Sequence, residues 1–290
     1  MKKWTFIICI IVCPLFSWGQ TFVYPVPPDS INARQDRINY MAEHFWTKVT
    51  ISDTANFHSP KLLLDFLYLL KQADEQQKSI QSFVSLACKQ EHTIGQILYW
   101  LDNILYDSSS PHYNENLYSS LMNAVIISDA DSIMKLIPQQ RIEMMSKNQV
   151  GKQANDFSFV TKEGYTKSLY IIDAPLLLLV FNNPDCSLCH QTEISIVQNE
   201  LLQSLLDSGR LKLLAITPDA DYEGWMNHTY PSNWLVGYDR EKIIYGQRIY
   251  DIQRLPCLYL LDKDKRVLLK EADYERLCKY LMENGLSFEE

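Results

Sequence analysis

Apolar positions fall into two textures along this chain. Up to about residue 147 they recur at helical spacing. Asn32 to Val49 places Ile38, Met41, Ala42, Phe45 and Trp46 on one face. Ser59 and Pro60 predict the start of a second helix through about Gln72, with Ser59 as N-cap and Pro60 in the first helical position. That helix is apolar on most sides, because Leu62, Leu63, Leu64, Phe66, Leu67, Leu69 and Leu70 crowd it. Such a helix is central to a core or covers an interface, and core is the expected place here. Further helical patterns cover about 76–89, 94–106, 114–127 and 130–147, and Gly95 is the only glycine between Gly19 and Gly151. An all-α region of five or six helices follows from this pattern. Phe45, Trp46, Tyr99 and Trp100 are expected among its core and interface aromatics.

From Gly151 the pattern changes. Ser158 to Thr161 reads as a strand before the turn Lys162-Glu163-Gly164. The run Leu176-Leu177-Leu178-Leu179-Val180-Phe181 is short, continuous and bounded by Pro175 and Asn182-Asn183-Pro184, as a strand buried on both faces would be. Glu193 to Leu206 then carries Ile194, Val197, Leu201, Leu202 and Leu205 at helical spacing. A second buried strand, Leu211 to Thr217, is closed by Pro218. A short helix over 219–230, an extended segment over 234–238 and a helix over 240–250 follow. Cys257 to Leu261 and Arg266 to Lys270 predict a hairpin around Asp262-Lys263-Asp264-Lys265, and 273–282 a closing helix. Strands alternating with helices before a terminal hairpin imply a mixed α/β sheet.

The chemistry sits where the first buried strand hands over to a helix, at Cys186-Ser187-Leu188-Cys189-His190. A thiol at a helix N-terminus gains from unpaired N–H groups and the helix dipole, which favour the thiolate. A second thiol one turn later can resolve a mixed disulfide. The same residues spell C-x-x-C-H, the pattern of c-type haem attachment. Haem attachment needs a helical cytochrome scaffold, whereas a strand leads into this motif. Zinc would need two further ligands, and no second C-x-x-C or ligand-spaced His pair is visible, so no metal is expected. His44, His58, His92 and His112 stand apart from any such partner. His190 reads as a surface residue.

Lys2-Lys3 and the apolar stretch Trp4 to Phe16 read as a secretory signal peptide over 1–19, with Ser17 and Gly19 at the small positions before a cut at Gln20. The stretch is shorter than the ~20 residues a spanning helix needs. A periplasmic protein, soluble after cleavage, is therefore expected. Losing Lys2 and Lys3 takes the formal charge from −8 to −10. An acidic chain with no basic stripe is a poor partner for nucleic acid or an anionic membrane surface. Five cysteines remain after the leader, Cys88, Cys186, Cys189, Cys257 and Cys278, which is one redox pair plus scattered thiols rather than a disulfide framework.

The order of elements, with C-x-x-C opening the helix after a central strand, resembles the thioredoxin fold. Within it, residues 149–290 resemble the exported TlpA/ResA-like thiol–disulfide oxidoreductases. Gly151…Asp156-Phe157 is similar to the family's opening segment. Arg254-Leu255-Pro256-Cys257-Leu258-Tyr259-Leu260-Leu261-Asp262 is similar to its cis-proline segment running into a hairpin, with Pro256 placed 70 residues after Cys186. Residues 20–148 resemble the helical domain of unknown function that precedes thioredoxin-like domains in Bacteroidetes, through Tyr40-Met41-Ala42-Glu43-His44-Phe45-Trp46. The expected fold is thus an α/β thioredoxin-like C-terminal domain, a mixed sheet flanked by helices over 149–290, preceded by an all-α domain over 20–148.

The resemblance implies that Cys186 is the nucleophile and Cys189 the resolving thiol. Leu255 and Pro256, the latter in a cis bond, would line the substrate groove. It implies protein disulfides as substrates, an upstream thiol reductant as partner, net reduction, no cofactor, and room for a membrane-embedded partner. Cys257, just past the proline, belongs in the core or joins the pair as a third thiol. Two departures stand out. Asp185 replaces the usual Trp before the first Cys, and its carboxylate opposes the thiolate that the helix terminus favours. Val180 occupies the place of thioredoxin's buried acid. Glu193 is one turn beyond Cys189, at a position that reads as an exposed helix face. These losses keep open a second reading, in which the helical domain binds envelope partners and the thioredoxin-like domain is weakly active. Residues 149–290 are expected to fold alone.

Overall fold

The computed structural model describes residues 22–49, 59–89, 91–219 and 221–285. The signal peptide expected over 1–19 and His58 lie outside the described residues. The chain divides into two compact units, residues 1–96 and 97–290.

The first unit contains α1 (Arg34–Glu43), α2 (Lys61–Gln72), α3 (Gln76–Ala87) and the start of α4 (Glu91–Leu101). Leu63, Phe66, Leu67 and Leu70 of α2 are buried, at i, i+3, i+4 and i+7. Their neighbours Leu62, Leu64 and Leu69 are half-buried, so only Tyr68 leaves a large apolar surface of α2 in solvent. An aromatic cluster forms this core. Phe66 meets Phe83 at 5.0 Å between centroids and Phe45 at 5.5 Å, and Trp46 meets Phe83 at 5.2 Å. Helix α2 begins one residue later than the sequence suggests: Pro60 is the N-cap, and Ser59 Oγ accepts from the Lys61 N–H at 3.3 Å.

In the second unit α4 runs into a π-helical turn, Asp102–Tyr106. Tyr99 is exposed rather than in a core. Helices α5 (Glu115–Ile127) and α6 (Ser132–Met145) follow, then a seven-stranded sheet in the order β2-β1-β5-β4-β3-β6-β7. Its strands are β1 (Ser158–Val160), β2 (Thr166–Ser168), β3 (Leu176–Phe181), β4 (Leu211–Thr217), β5 (Leu235–Tyr238), β6 (Cys257–Asp262) and β7 (Val267–Ala272). Central β3 pairs parallel with β4 and antiparallel with β6, in the register Phe181 to Ile216 and Phe181 to Cys257. Alternate residues of β3 point to opposite cores. Leu177, Leu179 and Phe181 pack with Phe157, Phe159, Tyr250 and Tyr259. Leu178 and Val180 pack with Ile196, Leu202, Leu205, Leu277 and Leu281. Burial on both faces is why this strand reads as an unbroken apolar run. The mixed sheet with flanking helices, after a helical N-terminal region, is the expected fold class.

The expected helix over 193–206 is two helices, α7 (Ser187–Gln198) and α8 (Glu200–Asp207). Asn199 separates them in extended backbone, φ −83° and ψ 108°, and its side chain caps α8 by accepting from the Leu202 N–H. The break changes the helical phase. Cys189, Thr192 and Ile196 face inward on α7, while Ile194 and Val197, read from the sequence as core-facing, are exposed. The remaining helices are α9 (Tyr222–Asn227), the short α10 (Ile243–Gly246) and α11 (Tyr274–Glu283). Helices α5 and α6 share their compact unit with the sheet. The buried ammonium of Lys270 on β7 donates to the Met145 carbonyl at 3.0 Å and to Glu115 Oε1 at 3.2 Å. Lys147 and Asn148 donate to the carbonyls of Arg248 and Ile249, both at 2.7 Å.

Candidate functional site: a thiol pair at a helix start

Strand β3 ends at Phe181, and the loop 182–185 delivers the chain to α7 with Cys186 as its N-cap. The backbone of Cys186 is extended, φ −91° and ψ 113°, and its Sγ accepts from the Cys189 N–H at 3.2 Å. The thiol therefore does the work that Ser, Thr or Asp does at an ordinary N-cap. Cys186 is half-exposed; Cys189, one turn on, is buried. Burial, then the hydrogen bond with Cys186, pushes the Cys189 thiol up to about 12.

The chain crosses back over the pair at Leu255-Pro256, joined by a cis peptide bond. Cys186 Sγ lies 3.8 Å from the Leu255 carbonyl oxygen. Leu255 is half-buried and Pro256 buried. The fold thus brings Cys186, Cys189, Leu255 and Pro256 together from segments about 70 residues apart. Asp185 is exposed, and its N–H donates to Asn183 Oδ1 at 2.8 Å. It flanks the nucleophile position without capping the helix. Cys257 is fully inside: its thiol faces the Asp251 carbonyl at 3.9 Å, and burial raises it well above an ordinary thiol. That environment disfavours a third reactive thiol.

Behind Cys189 the inner wall is polar but carries no acid at Val180. Thr217 donates to Asn182 Oδ1 at 3.0 Å, and the Tyr230 hydroxyl donates to the same oxygen at 3.3 Å. Burial pushes Tyr230 up to about 12. Glu193 is not an open helix position. It is half-buried, with Oε2 3.2 Å from Nε2 of His228. His190 lies beside that pair, its ring 5.1 Å from that of His228. Its Nε2 bonds the Pro184 carbonyl at 2.7 Å. The sequence holds one signal for this cluster, the His190-x-x-Glu193 spacing on one helix face. His228, 35 residues beyond Glu193, carries no local mark.

A family model described as a domain of unknown function (DUF5106) matches residues 9–148. A crystal structure of a thioredoxin-like protein from Bacteroides caccae is 31% identical, covers 91% of this chain and 98% of that chain, and superposes with a TM-score of 0.74. The chain belongs to the thioredoxin-like family. That relative shares both the helical region and the sheet. The C-terminal domain of an uncharacterized protein from Bacteroides fragilis is 34% identical over 47% of this thioredoxin-like chain and 99% of that chain, with a TM-score of 0.46. A thioredoxin domain of a thiol-disulfide oxidoreductase from Bacteroides vulgatus is 18% identical over 48% of this chain and 99% of that chain, with a TM-score of 0.41. Among curated proteins no match was found.

Proposed function

We propose that this thioredoxin-like chain is an exported thiol–disulfide oxidoreductase that reduces protein disulfides through Cys186 and Cys189. The asymmetry of the pair carries this reading: one thiol is half-exposed at a helix N-cap, and the other is buried one turn behind it. The Cys186 thiolate attacks a substrate disulfide, forming a mixed disulfide and releasing one substrate thiolate. Cys189 then attacks Cys186 Sγ while its proton passes to the departing sulfur, the second substrate thiol leaves, and the protein keeps the electron deficit as a Cys186–Cys189 disulfide. An upstream thiol reductant restores the pair. Leu255 and Pro256 offer the backbone edge against which an extended substrate segment pairs.

Net reduction rests on the resemblance to the exported TlpA/ResA-like oxidoreductases. A pair whose reduced form is strongly stabilised would instead act as an oxidant. A measured potential near −120 mV, that of the strong oxidant DsbA, would reverse the direction. Among the described residues no helix is long and apolar enough to cross a membrane. The leader over 1–19 supports release into the periplasm.

Trapping tests the roles. Mature Cys189→Ala should accumulate mixed disulfides with envelope proteins through Cys186, and Cys186→Ala should accumulate none. Equal trapping by the two variants would sink the assignment.

A further inference from the structure

We propose that His190, Glu193 and His228 form a binding site for a divalent transition metal of the zinc class, on the outer flank of α7. This inference does not rest on the thiol-exchange reading. One ligand atom from each residue lies within 4.8 Å of the other two. Two imidazoles and a carboxylate are the donor set that borderline divalent cations prefer. Tetrahedral zinc, with bonds of about 2.0–2.1 Å, sets its ligand atoms about 3.3 Å apart along each edge. His228 Nε2 and Glu193 Oε2, hydrogen-bonded at 3.2 Å, already stand at that edge length, and the metal would take the place of the hydrogen between them, which is released to solvent. Only His190 has to close in, and it is the exposed member of the three.

The surroundings suit ligation. The Pro184 carbonyl can only accept, so the His190 Nε2 it faces at 2.7 Å carries the hydrogen. Nδ1 then holds the ring's lone pair. A backbone carbonyl that fixes the tautomer of a ligating His is the usual outer shell of a zinc site. The His228 ring packs edge-on against Tyr230 at 4.4 Å, which limits its swing. His190 and Glu193 are three apart on α7, so they project from the same helix face. With neutral imidazoles the three side chains supply one negative charge, leaving a water to complete four-coordination.

The competing chelator is the reduced thiol pair itself. The test therefore uses full-length protein carrying Cys186→Ser and Cys189→Ser. Calorimetric titration with Zn2+ should show one site per chain. Adding His228→Ala or Glu193→Gln should weaken binding about tenfold or more, with the circular dichroism spectrum unchanged. Because His228 also packs in the fold, a second measurement leaves the cluster intact. Co2+ added to the same double-serine protein should give tetrahedral visible bands without a thiolate charge-transfer band, and should broaden the ring resonances of His190 and His228. Binding that survives His190→Ala, Glu193→Gln and His228→Ala combined would overturn the site. So would failure of the double-serine protein to bind either metal at one equivalent.

Discussion

Cys186 and Cys189 differ by one helical turn and by almost everything else in their surroundings. Cys186 accepts the N–H of Cys189, while Cys189 is buried and held near 12. In Cys186→Ser protein the alkylation rate of Cys189 should keep rising about tenfold per pH unit to at least pH ~9, because the ionised fraction stays small. A plateau near pH 8 would show that burial does not govern this thiol. Asp185 is exposed beside the nucleophile, so any effect of its charge on Cys186 has to pass through solvent. Asp185→Asn should speed Cys186 alkylation at neutral pH by roughly two- to fivefold, the size of one exposed charge. Unchanged rates would mean the carboxylate does not tune the thiol. The thiol pair was legible because its members are three residues apart and follow a buried strand. Leu255 and Pro256 were reachable only through family resemblance, since nothing local tells a residue near Cys257 that it will face Cys186. The Glu193–His228 contact was not legible, because it depends on where the loop after α9 returns.

Element by element, the strands were legible wherever both faces are buried. Leu176–Phe181 and Leu211–Thr217 came through at their observed bounds because an unbroken apolar run has no other use at that length. The failures are short elements. Thr166–Ser168 is three polar-edged residues, and α10 keeps only Ile243–Gly246 of the expected 240–250. The joint at Asn199 was missed because apolar spacing continues across it, although an Asn capping Leu202 is itself the signal. Gly237 on β5 was also silent. A Cβ there would stand 2.3 Å from Phe159 Cδ2 and 2.7 Å from Ile216 Cδ1. Gly237→Ala should therefore destabilise the sheet by about 1–3 kcal/mol, read as a lower urea midpoint with unchanged slope. An unchanged midpoint would mean that β1 and β4 yield to the methyl group.

At the scale of the molecule, texture and packing divide the chain at different places. The helical texture stops near 148, whereas the compact unit holding the sheet begins at Ile97. A buried ionisable hub links α5, α6 and the π-helical turn to the sheet. Lys270, Glu271 and Asp251 are all buried. Lys270 reaches Glu115, and the Tyr106 hydroxyl bonds Asp251. Sequence patterning is blind to such a hub, because Lys270 and Glu271 read as an ordinary strand end. Burial, then the charge of Asp251, raises Glu271 from 4.5 to about 8, against the attraction of Lys270. The sign of its pH effect is set by proton count. Between 4.5 and about 8 the folded chain keeps a proton that the unfolded chain has lost, so stability falls as pH rises through that window. The slope for one such proton is at most roughly 1.4 kcal/mol per pH unit. Lys270 is raised from 10.5, so whatever stability it contributes is lost only above that window. Residues 97–290 should thus lose stability between pH 5 and 8, and Glu271→Gln should flatten the curve. Residues 149–290, if they fold alone, open the hub to water and should show a lower melting temperature with a shallower pH slope. Denaturation of the three proteins across that range decides it: equal slopes in the glutamine variant and its parent would remove Glu271 as the cause. Equal midpoints for the two fragments would mean that α5 and α6 contribute nothing to holding the sheet.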